Sequence, residues 1–287
     1  MRPNTAVRAS YVGNRGVHLE RQFNLNDPPP APGPVQPRRP FQPFGPITYF
    51  ESGRDSITHQ LQLGAIRRFA SGLAFQFEYQ WTKALGEQVF GLPPMDNRNP
   101  RLDRGNLDFI RRHWAALNYI YELPFGRGKR FGKSLSAAAD KIVGGWQIAG
   151  LASFGSGQPF SVTYTSRTLG WPSGRADIVG DPRPADRSID HWFNPAAFAV
   201  PAPFTYGNSA RNMLFGPAFF NWDAALFKHT PISDRFTLEF RAEFFNILNH
   251  PNFGLPAADI ATPATVGRIT STASEARNIQ FGIRLSF

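Results

Sequence analysis

Residues 278–287 read NIQFGIRLSF, and this stretch decides the fold class. Every second residue from Ile279 to Phe287 is apolar, and the residues between them are polar or small. Because side chains alternate between the two faces of a β-strand, this period of two predicts a strand with one apolar face. Chain ends are usually polar and frayed, so an aromatic residue at position 287 indicates a chain end that is anchored at an interface.

The same alternation recurs along the chain. The segment LAFQFEYQW (73–81) places five apolar side chains on one face and three polar side chains on the other. The segment RFTLEFRAEFF (235–245) separates its aromatic residues from a charged file in the same way. Together with the C-terminal segment, the weaker alternations bring the prediction to eight strands. These weaker segments are 5–12, 56–67, 111–123, 145–154 with a continuation through 159–165, and 219–229.

Composition favours an all-β protein. The 287 residues are 41% hydrophobic, and no run approaches the roughly 18 to 20 apolar residues that a membrane-spanning helix needs. Aromatic residues make up 14%, with 26 glycines and 26 prolines, which is typical of strands joined by turns. The sequence contains no cysteine, so disulfide bonds and thiolate metal sites are excluded.

The connectors between the predicted strands alternate in length. Two are short (67–72 and 229–235), and a third of the same parity, 124–145, is longer. In an antiparallel meander, alternate connectors lie on the same rim of the sheet. All four long loops therefore fall on one rim, which is the asymmetry of a bacterial outer-membrane barrel. These long connectors are 24–55, 83–110, 166–218 and 248–276. The predicted fold is an all-β, antiparallel up-and-down meander of about eight strands.

Two arrangements satisfy the alternating pattern. A soluble sandwich would pack the aromatic files against each other, whereas a transmembrane barrel would turn them to lipid and turn the polar files to an aqueous lumen. Loop parity favours the barrel. The expected lumen-facing polar residues are Glu78, Asp223, Glu239, Arg241 and Glu243. The expected lipid-facing or interfacial aromatic residues are Phe75, Phe77, Tyr79, Trp81, Phe240, Phe244, Phe281 and Phe287.

The charge of the chain leaves an alternative function open. The net charge is +10, and arginine supplies most of it because the chain has only five lysines. Arginine binds phosphate groups through its bidentate fork, which suits both nucleic acid and phosphorylated lipid. The alternative is therefore a soluble, basic all-β protein that binds nucleic acid through arginines and exposed aromatic residues. In that protein Phe75, Phe77, Phe240 and Phe244 would form a core.

An ordered series of segments carries a family resemblance. FRAEFFNILNHPNFGLP (240–256) resembles the near-terminal signature of Oar-like TonB-dependent receptors, and further segments fit that family in order. They are YVGNRGVHL (11–19), NLNDP (24–28), YELPFGRGKRF (121–131), GGWQIAGLASFGSGQPFSV (144–162), WFNPAAFAVP (192–201) and YGNSARNMLFGPAFFNWDAALFKHTPI (206–232). The resemblance implies a bacterial outer-membrane protein that takes part in transport or surface binding and has no enzymatic activity. It also implies a plug and a barrel of about 22 strands.

The sequence departs from that family pattern at its beginning. It starts within the barrel, and its first residues, MRPNTAVRASYVGNRG, lack the apolar region of a signal peptide. We therefore expect residues 1–287 to be one partial domain, the C-terminal arc of the barrel without plug or signal peptide, and a gene fragment that is inactive alone. The other possibility is a closed eight-stranded barrel, in which side chains would fill the interior.

The expected partners follow from the family resemblance. They are outer-membrane lipid and lipopolysaccharide, the barrel assembly machinery through the C-terminal strand that ends at Phe287, and the remainder of the receptor, namely its plug and upstream strands. The membrane assignment predicts no nucleic-acid partner.

No motif indicates a catalytic, cofactor or metal site. GRGKRFGKS (126–134) resembles a phosphate-binding loop, but its glycines are one residue out of register. Ser156 lacks the G-x-S-x-G context, and the six histidines lie far apart in the sequence. The aspartates of 174–190 do not have the spacing of a calcium-binding loop. We expect solvated charge from the loop arginines, which include Arg98, Arg101, Arg104, Arg175, Arg183 and Arg187.

Overall fold

Within the described residues, eight long antiparallel strands form one sheet, and each pairs with the next along the chain. The structure, a computed structural model, describes residues 4–87 and 94–287. The strands are β1 (Thr5–Asn24), β2 (Thr48–Ala70), β3 (Leu73–Gly86), β4 (His113–Glu122), β5 (Trp146–Gly155), β6 (Phe219–Pro231), β7 (Thr237–Phe245) and β8 (Asn278–Ser286). This order confirms the predicted all-β meander.

Two strand boundaries differ from the sequence prediction. β1 and β2 extend well beyond 5–12 and 56–67, because their backbones remain paired up to Asn24 and Thr48 through register shifts after Gly16. The predicted continuation of β5 through 159–165 is wrong. Pro159–Phe160 instead pairs with Leu214–Phe215, so the chain leaves the wall after Gly155.

The connectors confirm the predicted asymmetry between the two rims. Ser71 and Gly72 form the tightest turn, and both have positive φ (53° and 80°), which suits a two-residue hairpin between twisted strands. The short-loop rim also carries the connector 232–236 and the connector 123–145, which contains helix α1 (Ala137–Val143). The long connectors all leave the opposite rim.

The long connectors fold together into a separate part of the structure at the long-loop rim of the sheet. We call residues 94–112, 156–218 and 246–277 the cap. Its apolar centre consists of Phe160, Val162, Ala176, Phe193, Ala197 and Phe198, all of them buried. Its short strands are Gly105–Asn106, Pro159–Phe160, Thr163–Tyr164, Gly174–Arg175, Asp177–Ile178, Phe198–Ala199 and Leu214–Phe215, and its 3-10 helices are Pro100–Asp103 and Pro195–Ala197. A further 3-10 helix, Gln36–Arg38, lies in the first long connector.

A single buried asparagine organises that first long connector, residues 25–47. The side chain of Asn26 is fully buried, and its Nδ2 donates to the carbonyls of Phe41, Phe44 and Gly45 at 2.9, 3.0 and 2.8 Å. Its Oδ1 accepts from the backbone N–H of Phe41 at 2.8 Å. One side chain therefore satisfies four backbone groups of the connector.

We expect Asn26→Ala to loosen this connector. The substitution removes the Asn26 donor from the carbonyls of Phe41 and Gly45, and each lost hydrogen bond costs about 0.5–1.5 kcal/mol. Trypsin cleavage after Arg38 should accelerate by about tenfold or more, as followed by mass spectrometry of the digest. Gln36→Ala is the control, because Gln36 bonds the same connector from an exposed position. Equal cleavage rates for the two variants would contradict the role given to Asn26.

The aromatic face of the sheet is not a protein core. Phe77 is exposed, and Phe281, Ile283 and Phe287 are 67%, 75% and 95% exposed. Within the described residues the buried apolar cluster lies in the cap, and no second sheet covers the aromatic files. The structure therefore does not favour the soluble sandwich or the aromatic core that the nucleic-acid alternative predicts.

Neither outer edge of the sheet is paired. Among the described strands β1 pairs only with β2, and β8 pairs only with β7. None of the helices in the described part of the chain combines the length and apolar character that crossing a membrane requires.

Candidate functional site

Strand pairing places the predicted polar residues on one face of the wall. Directly paired residues share a face of a sheet, and tracing the pairs across β3 to β8 joins all five of them. We call this the polar face. Its predicted members are Glu78, Asp223, Glu239, Arg241 and Glu243. The structure therefore places on one face residues that are as far apart in sequence as β3 and β7.

The charges on the polar face contact one another. Arg8 Nη2 lies 2.8 Å from Glu78 Oε2, and Arg241 Nε lies 3.8 Å from Glu243 Oε2. Asp223 Oδ1 accepts from the backbone N–H of Asn246 at 2.8 Å. These side chains are partly exposed, so each ion pair contributes little stability. Their arrangement suits a water-filled surface.

Three cavities lie beside residues of the polar face. A cavity of about 400 Å³ lies beside Asp223 and Glu243, and one of about 160 Å³ lies beside Arg8 and Glu78. A third, of about 180 Å³, is lined by Gln76 and Asn118 from the same face.

The opposite face carries the predicted aromatic residues. Phe75, Phe77, Tyr79 and Trp81 alternate with the polar residues of β3, and the rings of Phe240 and Phe281 stack across β7 and β8 with centroids 6.2 Å apart. The Phe287 ring lies 6.4 Å from Phe236. We call this side the aromatic face.

Tyrosine hydroxyls on the aromatic face find polar partners within the wall. Tyr79 Oη lies 2.8 Å from His113 Nδ1, and Tyr11 Oη lies 2.5 Å from His59 Nδ1. Trp222 Nε1 donates to Tyr119 Oη at 3.2 Å. An apolar surface whose polar atoms are satisfied internally suits contact with hydrocarbon.

A buried polar network ties the parts of the cap together. Arg175 Nη1 lies 2.9 Å from Asp103 Oδ1, and Arg175 Nε donates to the carbonyl of Ser209 at 2.9 Å. Arg211 pairs with Asp108, whose other oxygen accepts from Asn212 Nδ2 at 2.6 Å. Arg175, Asp103, Arg211 and Asn212 are all buried. The expectation that Arg175 is a solvated loop charge is therefore wrong.

This network forms one wall of a cavity of about 490 Å³ in the cap. We call it the cap cavity. It lies above the end of β3, because Gly105–Asn106 pairs with Leu85 and Gly86. Its other wall is the ladder of Thr163–Tyr164 and Gly174–Arg175. Sequence reasoning missed this site, although its residues come from the polar segments RLDRGNLD (101–108) and YGNSARNM (206–213).

Asp259 and Tyr206, both in the long connectors, have shifted pKa values with clear causes. Partial burial alone would raise the pKa of Asp259, but hydrogen bonds from Thr165 and from the backbone N–H of Ala261 lower it overall. Partial burial raises the pKa of Tyr206, and the nearby carboxylate of Asp96 raises it further. The lowered pKa favours the carboxylate form of Asp259.

The segment that resembles a phosphate-binding loop has a structural role. The backbone N–H of Arg127 donates to Asp140 Oδ1 at 2.6 Å, so a carboxylate from α1 occupies the place that a phosphate would need. Ser136 caps that helix by accepting from the N–H of Ala139 at 3.2 Å. An acidic side chain at this position repels an anion.

The other residues considered for chemistry also have structural partners. Ser156 Oγ accepts from the backbone N–H of His113 at 3.0 Å. In the loop of 174–190, Asp177 accepts from the N–H of Asn208 and Asp181 accepts from the N–H of Arg183. Across residues 4–87 and 94–287, no three His, Asp or Glu side chains lie close enough to hold a metal ion.

The chain is similar to known outer-membrane proteins of solved structure. A search of curated proteins finds no match to the chain. Among solved structures, the siderophore receptor PiuA from Acinetobacter baumannii is similar at 9% identity and a TM-score of 0.49 over 100% of this chain and 26% of that protein. The outer membrane transporter YddB from Escherichia coli is similar at 12% identity and a TM-score of 0.49 over 100% of this chain and 31% of that protein. The chain thus spans less than a third of either protein's length.

The eight strands pair in chain order and form a sheet with one polar face and one aromatic face. This is the architecture expected for the family whose model matches the sequence. The model of the family described as an outer membrane beta barrel domain matches residues 1–280, so the chain belongs to that family and its place is the bacterial outer membrane.

Proposed function

We propose that the chain forms an arc in the wall of an Oar-like TonB-dependent receptor and takes part in transport or surface binding without enzymatic activity. The aromatic face contacts lipid, and the polar face lines the lumen. The observation that carries this proposal is a sheet with opposite polar and aromatic faces whose two edges, β1 and β8, are both unpaired among the described strands.

The unpaired edges support an arc over a complete barrel. In hydrocarbon each unsatisfied backbone group costs several kcal/mol, so a wall strand needs a partner on both sides. β1 has 20 residues and β8 has 9, so the two edges are poorly matched for pairing with each other. The remaining partners are the upstream strands of the receptor, and residues 1–287 are then one partial barrel domain.

The same proposal assigns the other partners. A plug would contact the polar face, where Glu239, Arg241 and Glu243 form a charged ladder. Lipid and lipopolysaccharide would surround the aromatic face. The barrel assembly machinery would engage β8, whose apolar file ends at the 95% exposed Phe287. In this arrangement the cap and the long loops contact the substrate, because they lie on the outer rim.

We expect a brominated detergent to distinguish the two faces. The chain has no native cysteine, so single Phe77→Cys and Gln76→Cys variants each carry one label, bimane, at adjacent positions on opposite faces. In micelles of a brominated detergent, the bimane at residue 77 should be strongly quenched and the bimane at residue 76 weakly quenched. Far-ultraviolet circular dichroism is the control that each variant retains its β-structure in the micelle.

Two results would contradict the proposal. Equal quenching at residues 76 and 77 would show that the detergent does not contact the aromatic face in preference to the polar face. A chain that accumulates alone in the outer membrane as a folded band, and shifts to about 32 kDa on boiling, would be a complete small barrel and not an arc.

A further inference from the structure

We infer that the cap cavity binds a neutral sugar, of the size of one or two sugar rings. This inference rests on the proposed function only for the placement of the cavity on the outer side of the membrane. The lining residues of the cavity include Thr163, Tyr164, Ser173, Asp108, Arg175 and Arg211.

The charges that line the cap cavity cancel one another. Asp103 pairs with Arg175 and Asp108 pairs with Arg211, and no other charged residue lines the described part of the cavity. Backbone carbonyls accept further guanidinium protons: those of Ser209 and Leu102 from Arg175, and that of Asp103 from Arg211. A charged ligand would therefore meet no unpaired opposite charge, and its desolvation would go uncompensated.

The groups that remain available in the cavity are hydroxyls. The Tyr164 hydroxyl makes no hydrogen bond to the described residues, and Ser173 Oγ accepts from the N–H of Ser166 at 3.0 Å but keeps its own proton. The contact of Thr163 Oγ1 with the carbonyl of Ala258 is long, at 3.5 Å. A hydroxyl can both donate and accept, which is also true of every hydroxyl of a sugar. The lining therefore complements a polyol.

The cavity also has an aromatic wall that is held in place. The Tyr164 ring lies 5.9 Å from the Trp171 ring, and the Trp171 ring lies 5.9 Å from that of Phe204. Tyr164 lines the cavity, and the Trp171 ring packs against the Tyr164 ring. A rigid ring offers an apolar surface to the C–H faces of a sugar at small cost in conformational entropy.

The volume of the cavity sets the size of the ligand. A cavity of about 490 Å³ lies within the usual range of roughly 300–1,000 Å³ for small-molecule sites. A polysaccharide cannot enter it whole, so the fit is to a monosaccharide, a disaccharide or the end of a longer chain.

Isothermal titration calorimetry on the full chain tests this inference. The chain is kept in lauryldimethylamine oxide, because that detergent has no sugar headgroup that could compete. The probes are maltose, cellobiose and N,N′-diacetylchitobiose, compared with glucuronic acid and glucose 6-phosphate. At least one neutral disaccharide should bind with a Kd of about 1 mM or tighter, and the charged probes should bind at least tenfold more weakly.

Matched variants locate the binding. Tyr164→Phe removes one hydroxyl and should weaken binding about threefold to tenfold, and Tyr164→Ala, which also removes the ring, should weaken it further. Tyr49→Phe removes the same hydroxyl from an exposed tyrosine of β2, outside the cavity, and should leave Kd unchanged. Near-ultraviolet circular dichroism checks that each variant remains folded.

The outcomes separate this inference from the proposed function. Binding of no neutral sugar, tighter binding of the charged probes, or equal losses in Tyr164→Phe and Tyr49→Phe would overturn the sugar site. Sugar binding by a chain that fails the detergent-quenching test would support the site and overturn the barrel assignment instead.

Discussion

Arg175→Met is expected to lower the free energy of unfolding of the cap by about 3–5 kcal/mol, because it leaves the buried carboxylate of Asp103 without its cation. Arg175 and Asp103 are only 8% and 5% exposed, so water cannot replace the lost partner. The carbonyls of Leu102 and Ser209 lose their donors in the same substitution. The effect should concentrate in the cap, since this network joins 94–112 to 156–218.

Hydrogen exchange followed by mass spectrometry measures this loss locally. Peptides that cover 158–180 and 205–216 should lose about two orders of magnitude or more of protection, because 1.4 kcal/mol corresponds to a factor of ten. Peptides from β7 and β8 should change little, since the wall does not depend on this ion pair.

Two further variants identify the cause. Arg268→Met breaks the exposed pair with Asp190, whose side chains are 52% and 56% exposed, and should cost less than about 1 kcal/mol. Combining Arg175→Met with Asp103→Asn removes the unpaired charge and should restore much of the protection. If Arg175→Met behaved like Arg268→Met, the buried network would not hold the cap together.

The wall of the protein could be predicted from the sequence because its signal is local. Alternation in β3, β7 and β8 identifies each strand by itself, and connector lengths then order the two rims. The upper halves of β1 and β2 could not be predicted in this way. Residues 13–24 have no clean alternation, and they are strands only because the backbone of 48–58 pairs with them.

The cap could not be predicted because its contacts are distant in sequence. Arg175 and Asp103 are 72 residues apart, so an arginine in a proline- and glycine-rich loop resembles a solvated charge. The departure of the chain after Gly155 has a similar cause. A Cβ at Gly157 would lie 1.9 Å from the carbonyl oxygen of Gly216, so this close approach requires glycine. The cap begins here, where the sequence pattern predicted a continuation of β5.

Phe77→Arg is expected to cost about 2–4 kcal/mol of folding free energy in a membrane-like environment, the penalty for an arginine on the lipid face near the middle of a barrel wall. Phe77 pairs with Ala65 and Leu117, so its neighbours offer no acceptor for a guanidinium. The matched control is Gln76→Arg, which places the same charge one residue away on the polar face, within reach of Glu78. That variant should cost less than about 1 kcal/mol.

Urea unfolding of the micelle-bound chain, followed by tryptophan fluorescence, compares the two arginine variants. The midpoint for Phe77→Arg should fall well below that of the unmodified chain, while Gln76→Arg stays close to it. The comparison isolates the face of the sheet, because side chain, strand and depth are otherwise nearly the same. Equal losses in the two variants would mean that both faces of the wall meet water, and the assignment of the aromatic face to lipid would then be lost.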